Sequence, residues 1–424
     1  MEKAIGFFHE KARKNMFLSL FLILSLGVLG GFLMDKIRMP KLIWYLILGI
    51  LLGPSVFNII DSSLIGISSY LRQIALIIIL TRSALSLDVK GLLKIGRPAI
   101  LLSFLPASFE ILGICIFAPL FLDISIFEAL LLGSVLAAVS PAVVVPRMIK
   151  IKEEGYGKEH SVTDLVMAGS SLDDIYVIVL FYAFKGLVAS SSFSYLDLLK
   201  IPESILLGIA AGLLLGFLLG WFVKKIRVNT TISILLLLSF SFGLFYLEEV
   251  LKPYVSLSSL LGVMVLVMVF ISFNKEKKAE IKKGYESLWS CFEILLFTLV
   301  GVICNTKLAF SKEGGIIVGV IFLALAFRCV GVFLSVLFTK FTFKERLFII
   351  LSYLPKATVQ ASIGAIALQE GLSCGSLVLA SAILAILVTA PLGAILIDFT
   401  YKHLLSLEKD DVITEQPKGE NKAS

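Results

Sequence analysis

Charged residues are scarce in this sequence. They make up 16% of its 424 residues, while 58% are hydrophobic and the mean hydropathy is +0.98. A soluble domain is nearer a quarter charged and half apolar. The shortage of charge therefore excludes an ordinary soluble domain. It predicts an all-α polytopic membrane protein, because a helix satisfies its own backbone groups in lipid.

Histidine and cysteine are also few, at three and five residues. The cysteines are scattered in or beside apolar stretches without the spacing of metal ligands, so we interpret them as packing residues. We expect neither a cofactor nor a resident metal, and we do not predict an enzyme. The formal net charge of +7 comes mainly from basic loops and indicates no nucleic-acid partner.

Long apolar runs are what the sequence has instead. A membrane-spanning helix needs about 20 mostly apolar residues, and we predict about thirteen such helices. The joins between them are too short for an inserted soluble domain. The predicted spans are 16–34, 42–60, 70–87, 98–121, 125–149, 162–184, 203–223, 231–250, 255–273, 286–304, 314–338, 346–369 and 375–399.

The basic loops predict the orientation of the chain. With alternating spans, the loops on one side and the C-terminal tail carry more than twice as many Lys and Arg as the other side. The positive-inside rule then places the C-terminus in the cytoplasm and the N-terminus outside, although the N-terminal HEKARKN is itself basic. We expect a cell-membrane protein whose polar tail, 401–424, is disordered.

Five charged residues lie well inside predicted spans: Glu110, Asp173, Asp174, Arg328 and Lys356. A charge at the bilayer centre costs at least about 2.5 kcal/mol, so such residues face a cavity or a partner and mark ion or proton paths. Neighbouring side chains on a helix point about 100° apart. One aspartate can therefore take a cationic partner while the other faces water. A structural ion pair between helices is the simpler explanation of Glu110 and Arg328.

Two predicted spans are interrupted by proline. The fifth reads AAVSPAVVVPRM around Pro141, and the twelfth reads SYLPKATVQASIG around Pro355, with Lys356 beside it and Gln360 among the polar residues that follow. Proline removes an amide donor and disfavours helix in the residue before it. Freed backbone groups at membrane depth must line a cavity or pack within protein. We expect both helices to be unwound at these prolines.

Spans four to six and eleven to thirteen look like repeats. In the first block Glu110, the break at Pro141 and Asp173 follow one another. In the second block Arg328, Pro355 and a polar break in VTAP around Thr389 do the same, at intervals of 27 and 34 residues. Span eleven comes seven positions after span four, and an odd offset reverses the direction of insertion. We therefore predict inverted repeats with discontinuous helices crossing at the midplane, which are typical of secondary transporters.

The motifs LAAVSPAVVVP, AGSSLDDI and LPKATVQASIGAIAL together resemble the monovalent cation:proton antiporter superfamily. The paired aspartates resemble its second branch, and SPAVVVP and LPKATVQA are most similar to the sodium/hydrogen exchanger B, or NHA-type, antiporters. The resemblance covers about residues 20–400. It implies the sodium/proton antiporter fold, with two unwound helices crossing, and a homodimer embedded in membrane lipid.

The resemblance also implies a domain organisation. Spans in 98–186 and 305–400 would form a core transport unit, and spans in 1–97 and 231–304 would form a scaffold and dimerisation unit. Residues 187–230 would be a linker helix. In the family the core slides against the scaffold in an elevator-type movement that carries the ion across.

Roles for the polar residues follow from the same resemblance. Asp174 resembles the aspartate that binds either a cation or protons, and Asp173 resembles its partner acid. Ser170 lies four residues before Asp174, on the same helical face. Ser170, Ser140 and the backbone opened near Pro141 would supply further oxygens to Na⁺ or Li⁺.

Lys356 resembles the lysine at the second crossing, and Glu110 with Arg328 resembles an interhelical salt bridge. Well-studied two-aspartate members carry a lysine where this chain has Arg328, and arginine does not deprotonate in proteins. We therefore predict one proton per cation, an electroneutral exchange. Lys356 is the alternative second proton site if it pairs with Asp173.

The sequence thus predicts a secondary active transporter that exchanges Na⁺ or Li⁺ for H⁺ and serves pH homeostasis.

A sodium-coupled organic solute symporter of related fold is an alternative, as is a potassium/proton exchanger. A potassium-efflux member would usually carry a nucleotide-binding domain, and its glycine fingerprint does not appear in the short C-terminal tail. An intramembrane aspartyl protease needs two acids that converge, whereas adjacent acids diverge. Glu293, in span ten, is left unassigned.

Overall fold

A computed structural model describes residues 15–86, 96–189, 195–252 and 254–407. The basic N-terminal stretch and residues 408–424 of the predicted tail lie outside these ranges. Every regular element in the described ranges is a helix, and Tyr156 and Leu407 form one isolated antiparallel bridge. The prediction of an all-α chain is therefore confirmed.

Eighteen α-helices follow one another along the described chain. They are α1 Met16–Lys36, α2 Lys41–Leu52, α3 Ser62–Ser86, α4 Arg97–Leu102, α5 Leu105–Leu122, α6 Ile126–Leu136, α7 Pro141–Glu153, α8 Val162–Ala189, α9 Tyr195–Ile226, α10 Thr230–Leu251, α11 Ser259–Phe273, α12 Lys278–Val302, α13 Thr306–Ala309, α14 Lys312–Ser335, α15 Phe343–Ser352, α16 Thr358–Ile363, α17 Ile366–Gln369 and α18 Gly375–Leu404.

Ten helices in the described ranges, α4 with α5 and α6 with α7 each counting as one, are long and apolar enough to cross a membrane. α2, with 12 residues, and α11, with 15 residues, are apolar but shorter. Residues 343–369 are divided among three short helices. Each predicted span coincides with helical residues, so the polytopic membrane class holds. The number of thirteen crossings stays a prediction.

Both proline interruptions occur where they were predicted. α6 ends at Leu136 and α7 begins at Pro141, which takes the first helical position, where the missing N–H costs nothing. α15 ends at Ser352, and α16 begins only at Thr358. The residues between these helices, 137–140 and 353–357, are buried.

The predicted third interruption, in VTAP, is wrong. α18 runs without a break through Thr389 and Pro391 to Leu404, which also lies past the predicted start of the tail. A proline removes a single donor, and a helix buried among others can continue past it. The Thr389 hydroxyl is satisfied locally, because it donates to the carbonyl of Ala385 at 2.7 Å. The inverted-repeat relation stays a prediction.

Two glycines bring α5 and α14 close together. A Cβ at Gly113 would lie 3.1 Å from Ala324 Cα, and a Cβ at Gly331 would lie 2.9 Å from the Leu105 carbonyl oxygen. Small residues allow such backbone approach between membrane helices. Gly113 lies three residues after Glu110 and Gly331 three after Arg328, on neighbouring positions of the same helix face. The close packing therefore places these two charged side chains opposite each other.

Candidate functional site

The two interrupted segments touch each other. The Ser140 N–H donates to the carbonyl of Pro355 across 2.8 Å, and α16 packs against α6. Backbone groups that have lost their helical partners therefore face one another in one buried centre.

Three side chains cap the open end of α6. The carbonyl of Leu136 accepts from Lys356 Nζ at 2.5 Å, and that of Ala138 accepts from Gln360 Nε2 at 2.9 Å. The Ala137 carbonyl accepts from the guanidinium of Arg328. The last carbonyls of a helix carry its partial negative charge and lack intrahelical donors. Two cations and an amide supply those donors.

The second break is held in the same way. Arg328 Nε donates to the carbonyl of Tyr353 at 2.7 Å. The backbone N–H of Lys356 donates to the Thr389 hydroxyl of α18 at 3.0 Å. Arg328 thus joins both breaks, and α18 contributes a side chain where a helical break had been predicted.

Four buried charges form one network. Glu110 pairs with Lys356 Nζ at 2.7 Å and with Arg328 Nη1 at 2.9 Å. Asp173 Oδ2 accepts from Arg328 Nη2 at 3.0 Å and from the Val139 N–H at 2.7 Å. Glu110 is 1% exposed and the other three charged side chains are 0% exposed. Glu110 and Arg328 are therefore in contact, and Lys356 pairs with Glu110 rather than with Asp173.

Asp174 stands apart from this network. It is 4% exposed, and within the described residues it forms no ion pair. Its Oδ1, like Oδ1 of Asp173, is buried without a hydrogen-bond partner in the described chain. An uncompensated carboxylate inside a membrane protein is costly and marks a functional site by default.

The predicted oxygen donors lie on the helices around the break. Ser170 is buried on α8, and its hydroxyl donates to the carbonyl of Met167 at 3.1 Å. Ser140 Oγ lies 3.5 Å from Thr358 Oγ1, and Pro141 begins α7. Each hydroxyl oxygen keeps a lone pair that can coordinate a cation. Among the described residues no three His, Cys, Asp or Glu side chains converge as a metal cluster.

Two groups of this centre had no predicted role. Gln360 was noted only as a polar residue near the twelfth-span proline, and Thr389 was placed at a break that does not exist. The signal for Gln360 was present, because an amide within an apolar, proline-broken span must find partners. Glu293, on α12, is partly buried and stays unassigned.

These features define a class. The molecule is a multi-pass helical membrane protein whose buried charges lie where two interrupted helices meet, an arrangement typical of secondary transporters. Residues 21–402 match the family model described as sodium/hydrogen exchanger, transmembrane, and the chain belongs to that family.

Relatives agree with the family assignment. Sodium/hydrogen exchanger 9B2 of Xenopus tropicalis is 34% identical over 95% of this chain and 77% of its own length. Sodium/hydrogen exchanger 9B1 of Homo sapiens is 34% identical over 93% of this chain and 79% of its own length. The predicted resemblance to NHA-type exchangers is therefore confirmed.

A solved structure shares the fold. The sodium proton antiporter MjNhaP1 from Methanocaldococcus jannaschii, at pH 8, superposes with a TM-score of 0.76 at 23% sequence identity. The match covers 91% of this chain and 97% of that chain.

Proposed function

We propose that this protein is an antiporter that exchanges Na⁺ or Li⁺ for H⁺ across a membrane. The proposal is supported by membership of the sodium/hydrogen exchanger family and by relatives named as sodium/hydrogen exchangers. The observation that carries it is Asp174, a buried carboxylate without an ion-pair partner among the described residues, beside a network whose charges cancel.

The charge balance supports Asp174 as the carrier. Glu110 and Asp173 provide two negative charges, and Arg328 and Lys356 provide two positive charges in direct contact with them. Asp174 adds one negative charge to a neutral group. A monovalent cation or a proton neutralises it, and both compete for the same carboxylate. Competition couples the two fluxes if the empty, charged site does not cross the membrane.

Oxygen atoms around the break suit a hard monovalent cation. Such ions prefer carboxylate, hydroxyl and carbonyl oxygens. We assign Asp174 as the principal ligand, with the unpartnered Oδ1 of Asp173, the hydroxyls of Ser170 and Ser140 and the backbone opened before Pro141 as further oxygens. Glu110, Arg328 and Lys356 compensate charge and hold the two breaks together.

The movement follows the elevator scheme. Core helices in 98–186 and 305–400 carry the site past scaffold helices in 1–97 and 231–304, with 187–230 as the linker. In this scheme the Glu110, Arg328 and Lys356 network keeps the two interrupted helices together as one body while the core moves. The protein functions as a homodimer in the cell membrane, with its C-terminus cytoplasmic, and serves pH homeostasis.

Exchange is electroneutral in this proposal. Arg328 retains its charge and contacts both acids of the network, so Asp173 keeps a permanent cationic partner. The pairing of Lys356 with Glu110 supports this, because a second proton site would use a pairing of Lys356 with Asp173. One cation then crosses for each proton returned.

The first test uses proteoliposomes with an internal pH-sensitive dye and an imposed pH gradient, to which Na⁺, Li⁺ or K⁺ is added in turn. Wild type should move protons with Na⁺ or Li⁺, and Asp174→Asn should not. Asp164→Asn is the matched control. Asp164 lies in the first turn of the same helix α8, but it pairs with Lys152 at 2.7 Å. It should exchange like wild type.

Other results change the assignment. Exchange retained by folded Asp174→Asn protein removes Asp174 from the role. Proton movement with K⁺ alone makes the protein a potassium/proton exchanger. No movement with any of the three cations in folded wild type favours the sodium-coupled symporter, to be tested with organic anions and Na⁺.

A further inference from the structure

Gln360 bridges the two breaks through an uncharged amide. It lies on α16, is 0% exposed, and its Nε2 donates to two carbonyls of the other break, Leu136 at 3.2 Å and Ala138 at 2.9 Å. Both N–H groups of the amide are thus used on the opened backbone.

The orientation of this amide is determined by its surroundings. Both neighbouring atoms are carbonyl oxygens, so the nitrogen must face them and Oε1 must point away. Oε1 is buried without a hydrogen-bond partner in the described chain. An unsatisfied buried acceptor costs free energy. The two N–H donors of the amide, and not its oxygen, therefore account for a glutamine at this position.

One of those donors acts on the peptide that holds Asp173. The Ala138 carbonyl and the Val139 N–H belong to the same peptide group, and in a trans peptide they point in opposite directions. Gln360 binds the carbonyl, and the N–H donates to Asp173 Oδ2 at 2.7 Å. Hydrogen bonds in such a chain polarise and strengthen one another.

We propose that Gln360 is a positioning residue of the exchange cycle: it fixes the Ala138–Val139 peptide so that its N–H holds Asp173 beside Asp174. The inference rests on the proposed function, because its effect is on the pair of acids where cation and proton compete. Gln360 does not touch the ion. It acts through the peptide and through Asp173.

Removing the donors has a specific consequence. Leu136 keeps its bond from Lys356, but the Ala138 carbonyl loses its side-chain donor, and the Ala138–Val139 peptide is held less firmly. The Val139 N–H then fixes Asp173 less firmly relative to Asp174, although Asp173 keeps its ion pair with Arg328. Both the cation affinity and the pH dependence of exchange should change, because both depend on the same two carboxylates.

The test compares wild type with Gln360→Met, which keeps length and volume but has no donor, and with Gln360→Glu, whose ionised form would turn oxygens toward the two carbonyls. Proton flux in proteoliposomes is measured against Na⁺ concentration at several pH values. Gln360→Met should raise the KM for Na⁺ about tenfold, the scale of losing one buried hydrogen bond, and should displace the pH profile. Gln360→Glu should work only where its new carboxyl is protonated.

Ser362→Ala is the matched control. Ser362 is buried on the same short helix, and its hydroxyl donates only to the Thr358 carbonyl at 2.7 Å. Its KM and pH profile should match wild type. If Gln360→Met does not fold, as judged by thermal unfolding in detergent, Gln360→Glu carries the test.

The outcomes separate this inference from the proposed function. Wild type that moves no protons with Na⁺ or Li⁺ overturns the proposed function. Wild type that exchanges, together with a folded Gln360→Met variant of unchanged KM and pH profile, overturns the positioning role alone. A lower maximal rate with unchanged KM and pH profile also contradicts it, because that pattern indicates a general structural defect.

Discussion

At the scale of single residues, the contacts of Arg328 account for an arginine where well-studied two-aspartate antiporters carry a lysine. Its guanidinium contacts Glu110, Asp173, the Tyr353 carbonyl and the Ala137 carbonyl at once. The planar fork of arginine offers five donors in fixed directions, whereas lysine offers three from one atom. A lysine at this position could not reach both breaks and both acids together.

The two lysines Lys356 and Lys41 allow a matched stability prediction. Each pairs with a carboxylate at 2.7 Å, but Lys356 and Glu110 are buried while Lys41 and Asp35 are 44% and 55% exposed. Lys356→Met should destabilise the protein by about 3 kcal/mol or more, because it leaves buried charge uncompensated. Lys41→Met should cost about 1 kcal/mol or less, because exposed pairs contribute little.

Thermal unfolding in one detergent, at one pH and salt concentration, measures the difference. The melting temperature of Lys356→Met should fall well below that of Lys41→Met. Equal shifts for the two variants would show that the Lys356 pairing contributes no more than a surface ion pair.

At the scale of helices, the site depends on backbone approach as much as on charge. α5 presents Glu110 and α14 presents Arg328, and the glycines beside them bring the helices together. Arg328 could not cap both breaks if α14 lay farther away, because its side chain must reach the carbonyls of Ala137 and Tyr353.

Two glycines of α14 provide the test at this scale. A Cβ at Gly331 would meet backbone atoms of Leu105 and Pro106 at 2.9 Å, whereas a Cβ at Gly319 would meet nothing within 4 Å. Gly331→Ala should destabilise the protein by about 1–3 kcal/mol, because α5 and α14 must separate. It should also slow exchange. Gly319→Ala should be neutral or stabilising, because alanine favours helix over glycine by about 1 kcal/mol.

Melting temperature and Na⁺-driven proton flux are measured on the same purified samples. A Gly331→Ala protein that melts and exchanges like Gly319→Ala would contradict the role of close helix packing in placing the ion pair.

At the scale of the whole molecule, the proposed cycle moves no net charge. At a fixed pH gradient, a K⁺ diffusion potential set with valinomycin should therefore leave the initial rate of Na⁺-driven proton flux unchanged. The physical reason is that one cation and one proton cross in opposite directions, so the electrical work cancels. The control is liposomes without protein, which report the passive proton leak under the same potential. A rate that rises with one sign of potential and falls with the other would establish an unequal stoichiometry.

Several features of the fold were determined by the sequence itself. Apolar runs decide which segments enter the membrane, because the cost of leaving water is set locally by each run. Proline favours the ends of helices α6 and α15, because the lost donor and the restricted preceding residue act on the same few residues. Asp173, Asp174 and Lys356 were recognisable for the same local reason, since a charge in such a run is costly.

The packing of the helices determines which groups meet. That Lys356 pairs with Glu110, that Arg328 serves both breaks and that Gln360 aims its amide at Ala138 all depend on which helices pack together. The unbroken α18 shows the same limit, because Pro391 lies inside this helix without ending it, and a helix packed within protein tolerates the lost donor. Apolar segments, the two proline breaks and the buried charges were readable from the sequence, because desolvation and backbone geometry act locally. The packing of helices distant in the chain determined the partners, because hydrogen bonds and ion pairs form only between groups brought within about 3 Å.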